Sequence, residues 1–144
     1  MCMALYVAAD APLLEVAATM PPGLFVARPI EGDEEAVRPH FTKAHVYFLG
    51  AHGGCSCGFS YGLGEAEDED ALGRQSVRQL RMYLNAAVAE LGALEVYACW
   101  VDDEAEPVTS RQALTTDVFT ETLEAFELPE RWFASISARP ANDR

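Results

Sequence analysis

The clearest periodic pattern in the chain is a stripe of apolar residues that recur three and four positions apart. Its members are Val77, Leu80, Leu84, Val88 and Leu91. This spacing places them on one face of a helix, so the sequence predicts an amphipathic α-helix over residues 70–91. Acidic residues precede the stripe and a glycine follows it, which favours a helix start and a helix stop at those points.

Five shorter segments have the compact apolar runs or the alternation that are typical of β-strands. They are residues 4–9, 24–30, 45–50, 94–101 and 132–138. Alternation is strongest in residues 94–101, and we expect the face that carries Leu94, Val96, Ala98 and Trp100 to cover the long helix. A weaker helical or mixed segment is predicted over residues 111–126. Residues 132–138 could form an exposed edge strand that pairs with a second copy of the chain.

The order of these elements predicts an α+β fold in a single domain spanning residues 1–144. We expect a mixed or antiparallel sheet of about five strands, packed on the one long helix. Strands are not regularly followed by helices, so a doubly wound parallel sheet is not indicated. Half of the 144 residues are hydrophobic, which is ample for a core in one domain of this size.

The charge balance narrows the choice of partners. The formal net charge is −13, from 23 acidic and 10 basic residues. Such a surface repels nucleic-acid phosphates and anionic membranes, whereas it suits a metal ion, a cationic small molecule or a basic protein. The start of the chain carries no secretory signal and no apolar run is long enough for a membrane span, so we expect a cytoplasmic protein with reduced cysteines. Nine of the ten basic residues are Arg, which together with abundant Ala suggests a bacterial source with a GC-rich genome.

The most informative segment for chemistry is the glycine-rich stretch of residues 50–64. It contains six glycines, and it brings His52, Cys55 and Cys57 within six positions of one another. Thiolates and imidazoles are soft metal ligands, and a structural zinc ion requires four such donors. The predicted zinc site therefore consists of His52, Cys55, Cys57 and Cys99. Only one residue separates Cys55 from Cys57, which is a shorter spacing than zinc sites usually have.

Other interpretations of the cysteines stay open at this point. His45 is an alternative fourth metal ligand. Cys55 and Cys57 could instead do thiol redox chemistry, although nearby acidic residues oppose thiolate formation and no Cys-x-x-Cys motif is present. They could also simply pack as small hydrophobic residues. Cys2 could act as a nucleophile if Met1 were removed.

The basic residues of the predicted helix offer a further candidate site. Arg74, Arg78 and Arg81 share a face that could hold an anion, but pairing with the many nearby carboxylates is the simpler expectation.

The sequence contains no phosphate-binding loop, dinucleotide fingerprint, nucleophile elbow, zinc-protease motif or calcium-binding loop, which argues against an enzyme of those classes. The leading interpretation is a non-catalytic binding domain that uses loop 50–64 together with Tyr47, Tyr61 and Tyr97 as its contact surface for a protein or small molecule. The alternative is a metal- or thiol-dependent protein centred on His52, Cys55 and Cys57. A metal site predicts that His52, Cys55, Cys57 and a fourth ligand converge within bonding distance, with thiols that reagents cannot reach. A binding domain predicts a dispersed arrangement and an exposed apolar patch. Sulfurs of Cys55 and Cys57 on opposite sides of the chain would exclude the metal site.

Overall fold

The computed structural model describes residues 2–19, 21 and 23–138, and it has an α+β fold. One sheet contains six strands in the order β2-β3-β1-β4-β6-β5. These strands are β1 (Met3–Ala9), β2 (Phe25–Pro29), β3 (His45–Ala51), β4 (Ala93–Trp100), β5 (Ser110–Thr115) and β6 (Trp132–Ser137). All neighbours are antiparallel except β5 and β6, which are parallel, so the sheet is mixed.

The single long helix, α1 (Glu67–Leu91), matches the predicted helix and begins three residues earlier. Four acidic residues occupy its first turn, where they interact favourably with the helix dipole. Its end is set by Gly92, which has φ +88° and donates its N–H to the Val88 carbonyl oxygen at 2.7 Å. The predicted apolar stripe is the buried face, and Val77, Leu80 and Leu84 are completely inaccessible to solvent.

Both faces of the sheet are covered, and each has its own core. The first core lies between α1 and the sheet face that carries Leu5, Leu49 and Val96. The second core lies on the opposite face around Tyr6 and Tyr97. A 3₁₀ helix, Gly32–His40, helps to cover this second face with its buried Val37. The predicted orientation of β4 is confirmed, because Leu94, Val96, Ala98 and Trp100 all contribute to the first core.

For the weaker helical or mixed segment predicted over residues 111–126, the helical alternative is wrong, because the first part is a strand. Residues 110–115 form strand β5, and only a short 3₁₀ turn, Thr116–Val118, follows. The strand is held by parallel pairing with β6, and the Trp132 Nε1–H donates to Gln112 Oε1 at 2.5 Å. The pairing of β5 with β6 thus decides the conformation of this segment. The local sequence pattern does not show which strand β5 pairs with.

The predicted edge strand is also misplaced. Strand β6 lies between β4 and β5, so both of its sides are paired and it is not free to join a second copy of the chain. Formation of a homodimer stays a prediction, but it loses this basis. Among the residues described above, no helix combines the length and apolar character needed to cross a bilayer.

Candidate metal centre

The glycine-rich loop begins where β3 ends, and it folds back on its own strand. A Cβ atom on Gly50 would lie 2.5 Å from the carbonyl oxygen of Gly54, so only glycine permits this close approach. Gly54 itself has φ +86°, a conformation that favours glycine. The Ala51 N–H then donates to the Cys55 carbonyl oxygen at 3.1 Å. This reversal carries Cys55 and the residues after it back towards the start of β1.

Ser56 fixes the loop to the sheet. Its side chain is buried, and its hydroxyl accepts the Leu5 N–H at 2.9 Å and donates to the Leu49 carbonyl oxygen at 2.6 Å. The hydroxyl therefore bridges two residues that face each other across β1 and β3. Three residues further on, the completely buried Phe59 anchors the loop in the first core. The segment between Cys55 and Phe59 is thus positioned by packing and hydrogen bonds of its own.

Three cysteines converge at this point. The Sγ atoms of Cys2, Cys55 and Cys57 all lie within 4.8 Å of one another. Cys2 immediately precedes β1, and its carbonyl oxygen accepts the Val101 N–H at 2.7 Å. We call these three residues the thiol cluster. Cys2 and Cys57 are exposed and Cys55 is half-buried.

Backbone groups also contact the cluster. The Met3 N–H donates to Cys57 Sγ at 3.1 Å, and the Cys57 N–H donates to Cys55 Sγ at 3.5 Å. The Cys55 thiol in turn donates to the Met3 carbonyl oxygen at 3.8 Å. Backbone donors that point at sulfur stabilise negative charge there, so two of the three sulfurs are prepared to act as thiolates once a cation is present.

Without a cation, Cys55 is a neutral thiol. Burial raises its pKa to about 12, and hydrogen bonding to the neighbouring Cys57 and Cys2 thiols acts in the same direction. A neutral thiol is a poor nucleophile, which argues against spontaneous thiol chemistry at this position. A metal ion supplies the positive charge that deprotonation of such a thiol requires.

Solvent reaches the cluster through more than one surface cavity. Cys55 and Cys57 line an open depression of about 340 Å³, which they share with His52, Glu65 and Glu69. Cys55 also lines a larger cavity of about 730 Å³ on the second face of the sheet, beside Val26 and Phe48. The cluster is therefore a surface site, with room beside it for a small molecule or an exchanging ligand.

The structure does not bring the whole predicted ligand set together. Cys99 is completely buried in the second core, where burial raises its pKa to about 12, and it lies outside the thiol cluster. His45 pairs with Ala9, at the opposite end of β1 from Cys2. His52 lies beside the cluster, but its Nδ1 is 2.9 Å from Ser76 Oγ and its Nε2 is 3.2 Å from Glu69 Oε2. Participation of His52 as a ligand stays a prediction.

Cys2 belongs to the thiol cluster but is absent from the ligand set that the sequence predicts. The strand pattern alone does not reveal it, because only the observed antiparallel pairing of β1 with β3 sets the residue before β1 beside the loop that follows β3. The spacing of cysteines along the chain carries no such information, since 53 positions separate Cys2 from Cys55.

The predicted tyrosine contact surface is wrong. Tyr47, Tyr61 and Tyr97 are all buried. Tyr61 donates its hydroxyl to the Thr120 carbonyl oxygen at 2.5 Å, and the ring of Tyr97 packs 4.4 Å from the ring of His40. These side chains belong to the cores and their borders, so they cannot serve as exposed recognition residues.

The three arginines on this face of α1 pair with carboxylates, which confirms the simpler expectation. Arg74 pairs with Asp70 at 2.8 Å, and Arg78 and Arg81 both reach Glu121. Arg74 and Arg81 also donate to backbone carbonyl oxygens of residues 119–124. The stripe therefore ties that segment to the helix.

Comparison with known proteins adds no further identification. No protein-family model, no curated protein and no solved structure matches this chain.

Proposed function

We propose that this protein is a non-catalytic binding protein whose ligand is a soft metal ion held by Cys2, Cys55 and Cys57. The observation that carries the proposal is the convergence of their three Sγ atoms within 4.8 Å. Soft thiolate sulfurs select metals such as zinc and monovalent copper over magnesium or calcium. The strongly acidic chain also favours the approach of cations.

Metal binding fits the site better than thiol redox chemistry. A redox-active cysteine needs a lowered thiol pKa, usually from a nearby positive charge or a helix N-terminus. The pKa of Cys55 is raised instead. The titratable side chains that share the open depression with Cys55 and Cys57 are His52, Glu65 and Glu69, and the two carboxylates disfavour a thiolate. A bound cation lies against the sulfurs and offsets part of this repulsion, whereas an isolated reactive thiol has no such neighbour.

The metal would be an exchangeable ligand and not a part of the folding core. Neither core contains a member of the thiol cluster. Ser56 and Phe59 already hold the loop in place through the sheet and the first core. We therefore expect the protein to stay folded when the metal is removed, in contrast to small zinc domains that unfold without their ion.

The test is the elemental metal content of untagged protein purified without chelator, measured by mass spectrometry. We expect close to one soft metal ion per chain. The Cys55→Ser/Cys57→Ser double variant should lose it, while the matched variant Cys99→Ala, which removes the remaining thiol outside the cluster, should keep it. Folded wild-type protein that contains no metal and takes up neither zinc nor monovalent copper when reconstituted would overturn the proposal.

A further inference from the structure

The number of donors in the thiol cluster limits which soft ion it suits. The group consists of three thiols and nothing else: within the described part of the chain, no fourth His, Cys, Asp or Glu ligand atom lies within 4.8 Å of all three sulfurs. A structural zinc ion is almost always held by four protein ligands in a tetrahedron, and a zinc ion with three protein ligands needs a water or another outside ligand in the fourth position. Monovalent copper has a filled d shell and accepts three thiolates in a plane, so a three-sulfur site meets its needs without a further ligand.

The potential ligands that share the open depression with Cys55 and Cys57 already have other partners. His52 contacts Ser76 through one ring nitrogen and Glu69 through the other. Glu65 accepts the Leu63 N–H at 2.8 Å. A fourth protein ligand would have to leave these contacts, at the cost of the hydrogen bonds given up.

We infer that the metal bound by the thiol cluster is monovalent copper, coordinated by the sulfurs of Cys2, Cys55 and Cys57 alone. This inference rests on the proposed metal-binding function and specifies its ligand. No electron is transferred in binding: copper arrives as Cu(I), three S–H bonds give way to three S–Cu bonds, and three protons are released to solvent. The resulting anionic centre is stabilised by the N–H donors of Met3 and Cys57.

Exposure of the cluster makes the copper transferable. Cys2 and Cys57 both lie at the surface, so an incoming thiol can reach the metal without unfolding the protein. A buried, closed ligand cage would instead retain its ion. The chemistry of the site therefore suits a protein that accepts copper from one thiol-bearing molecule and passes it to another.

The experiment is a competition titration of reduced, metal-free protein under anaerobic conditions. Cu(I) is supplied as its coloured bicinchoninate complex, and loss of the colour reports transfer to the protein. A parallel series supplies Zn(II) with a chromophoric zinc chelator. X-ray absorption of each loaded protein then counts sulfur and nitrogen or oxygen neighbours of the metal. We expect one Cu(I) per chain with three sulfur neighbours, and a preference for Cu(I) over Zn(II) of at least ~100-fold.

Matched variants link the result to the cluster. Cys2→Ser and Cys57→Ser alter exposed side chains, and a serine hydroxyl can accept the Met3 N–H in place of Cys57 Sγ. We therefore expect both variants to stay folded, and circular dichroism tests this. Both should lower the sulfur count to two, while Cys99→Ala should leave it at three.

The outcomes separate the two proposals. Binding of zinc in preference to copper, with a nitrogen or oxygen neighbour, would overturn the copper assignment and leave the metal-binding proposal intact. Full copper affinity in Cys2→Ser, with two sulfurs in the wild type as well, would also overturn it. Binding of neither metal would overturn both proposals together.

Discussion

Cys55 and Cys99 show what determines the role of a cysteine in this protein. Burial raises the pKa of both thiols to about 12, so by that measure the two residues are alike. Their neighbours differ. Cys99 is surrounded by the apolar and aromatic side chains of the second core, whereas Cys55 has two other sulfurs within 4.8 Å and solvent beside it. The neighbouring sulfurs and the access of solvent make Cys55 a candidate metal ligand and Cys99 a packing residue, and burial alone does not separate the two.

The largest difference that we expect between the thiol cluster and Cys99 is in metal affinity. Replacing Cys57 with Ser removes one of three ligand sulfurs, so we expect the affinity for the bound metal to fall by about 100-fold or more. Cys99→Ala removes a thiol from the opposite environment and should change the affinity by less than about twofold. Competition with a chromophoric chelator measures both. Equal losses in the two variants would show that the cluster has no special role.

Stability should show the reverse order. Cys99→Ser places a hydroxyl in the second core, and we expect it to lower the free energy of unfolding by about 1–3 kcal/mol. Cys57→Ser changes an exposed side chain and should stay within about 0.5 kcal/mol of the wild type. Urea unfolding of the metal-free proteins gives both values. A destabilisation of Cys57→Ser as large as that of Cys99→Ser would mean that the cluster is part of the folding core.

Ser56 tests whether the cluster depends on the sheet for its geometry. Ser56→Ala leaves the Leu5 N–H and the Leu49 carbonyl oxygen without their shared partner, so we expect a loss of about 1–3 kcal/mol in the free energy of unfolding. Because the thiols are untouched, any accompanying loss of metal affinity reports on their positioning. Ser135→Ala, at an exposed position of β6, is the control and should be neutral in both measurements. Unchanged stability in Ser56→Ala would contradict the bridging role.

The expected effect that is smallest at neutral pH, and that grows as the pH rises, is on the pH dependence of stability. A thiol has a pKa of about 8.5 in an unfolded chain, so between that value and about 12 the unfolded state loses the Cys99 proton while the folded state keeps it. Stability should therefore fall as the pH rises through this window. We expect a shallower fall in Cys99→Ala, measured by urea unfolding of metal-free protein at a series of pH values from 8 to 11. Identical slopes would show that Cys99 ionises normally in the fold.

The sequence predicted the elements that carry their own periodic pattern. Helix α1 and the β4 face with Leu94, Val96 and Ala98 were found because apolar spacing along a single segment reveals which side is buried. Strand β5 was not found, because its stability comes from parallel pairing with β6, about twenty residues away. A local pattern contains no information about such a partner.

The difference between a local pattern and the pairing of distant segments also explains which residues of the candidate site the sequence predicted. Cys55 and Cys57 stood out because they lie together in a glycine-rich loop, whereas Cys2 joins them only through the pairing of β1 with β3. The prediction that the tyrosines form an exposed contact surface was wrong for a related reason. Both faces of the sheet are covered, so the alternation that separates Tyr47 from its neighbours distinguishes two cores and not an inside from an outside.

Because Cys2 lies directly before β1, the geometry of the thiol cluster depends on the register between β1 and β3. Side chains alternate between the two faces of a strand, so a slip of one residue between β1 and β3 would send every β1 side chain to the opposite face. Cys2 would then point away from Cys55 and Cys57. If the proposed metal binds, three-sulfur coordination would be a spectroscopic report that β1 and β3 have reached their correct register, and its appearance during refolding would time that event.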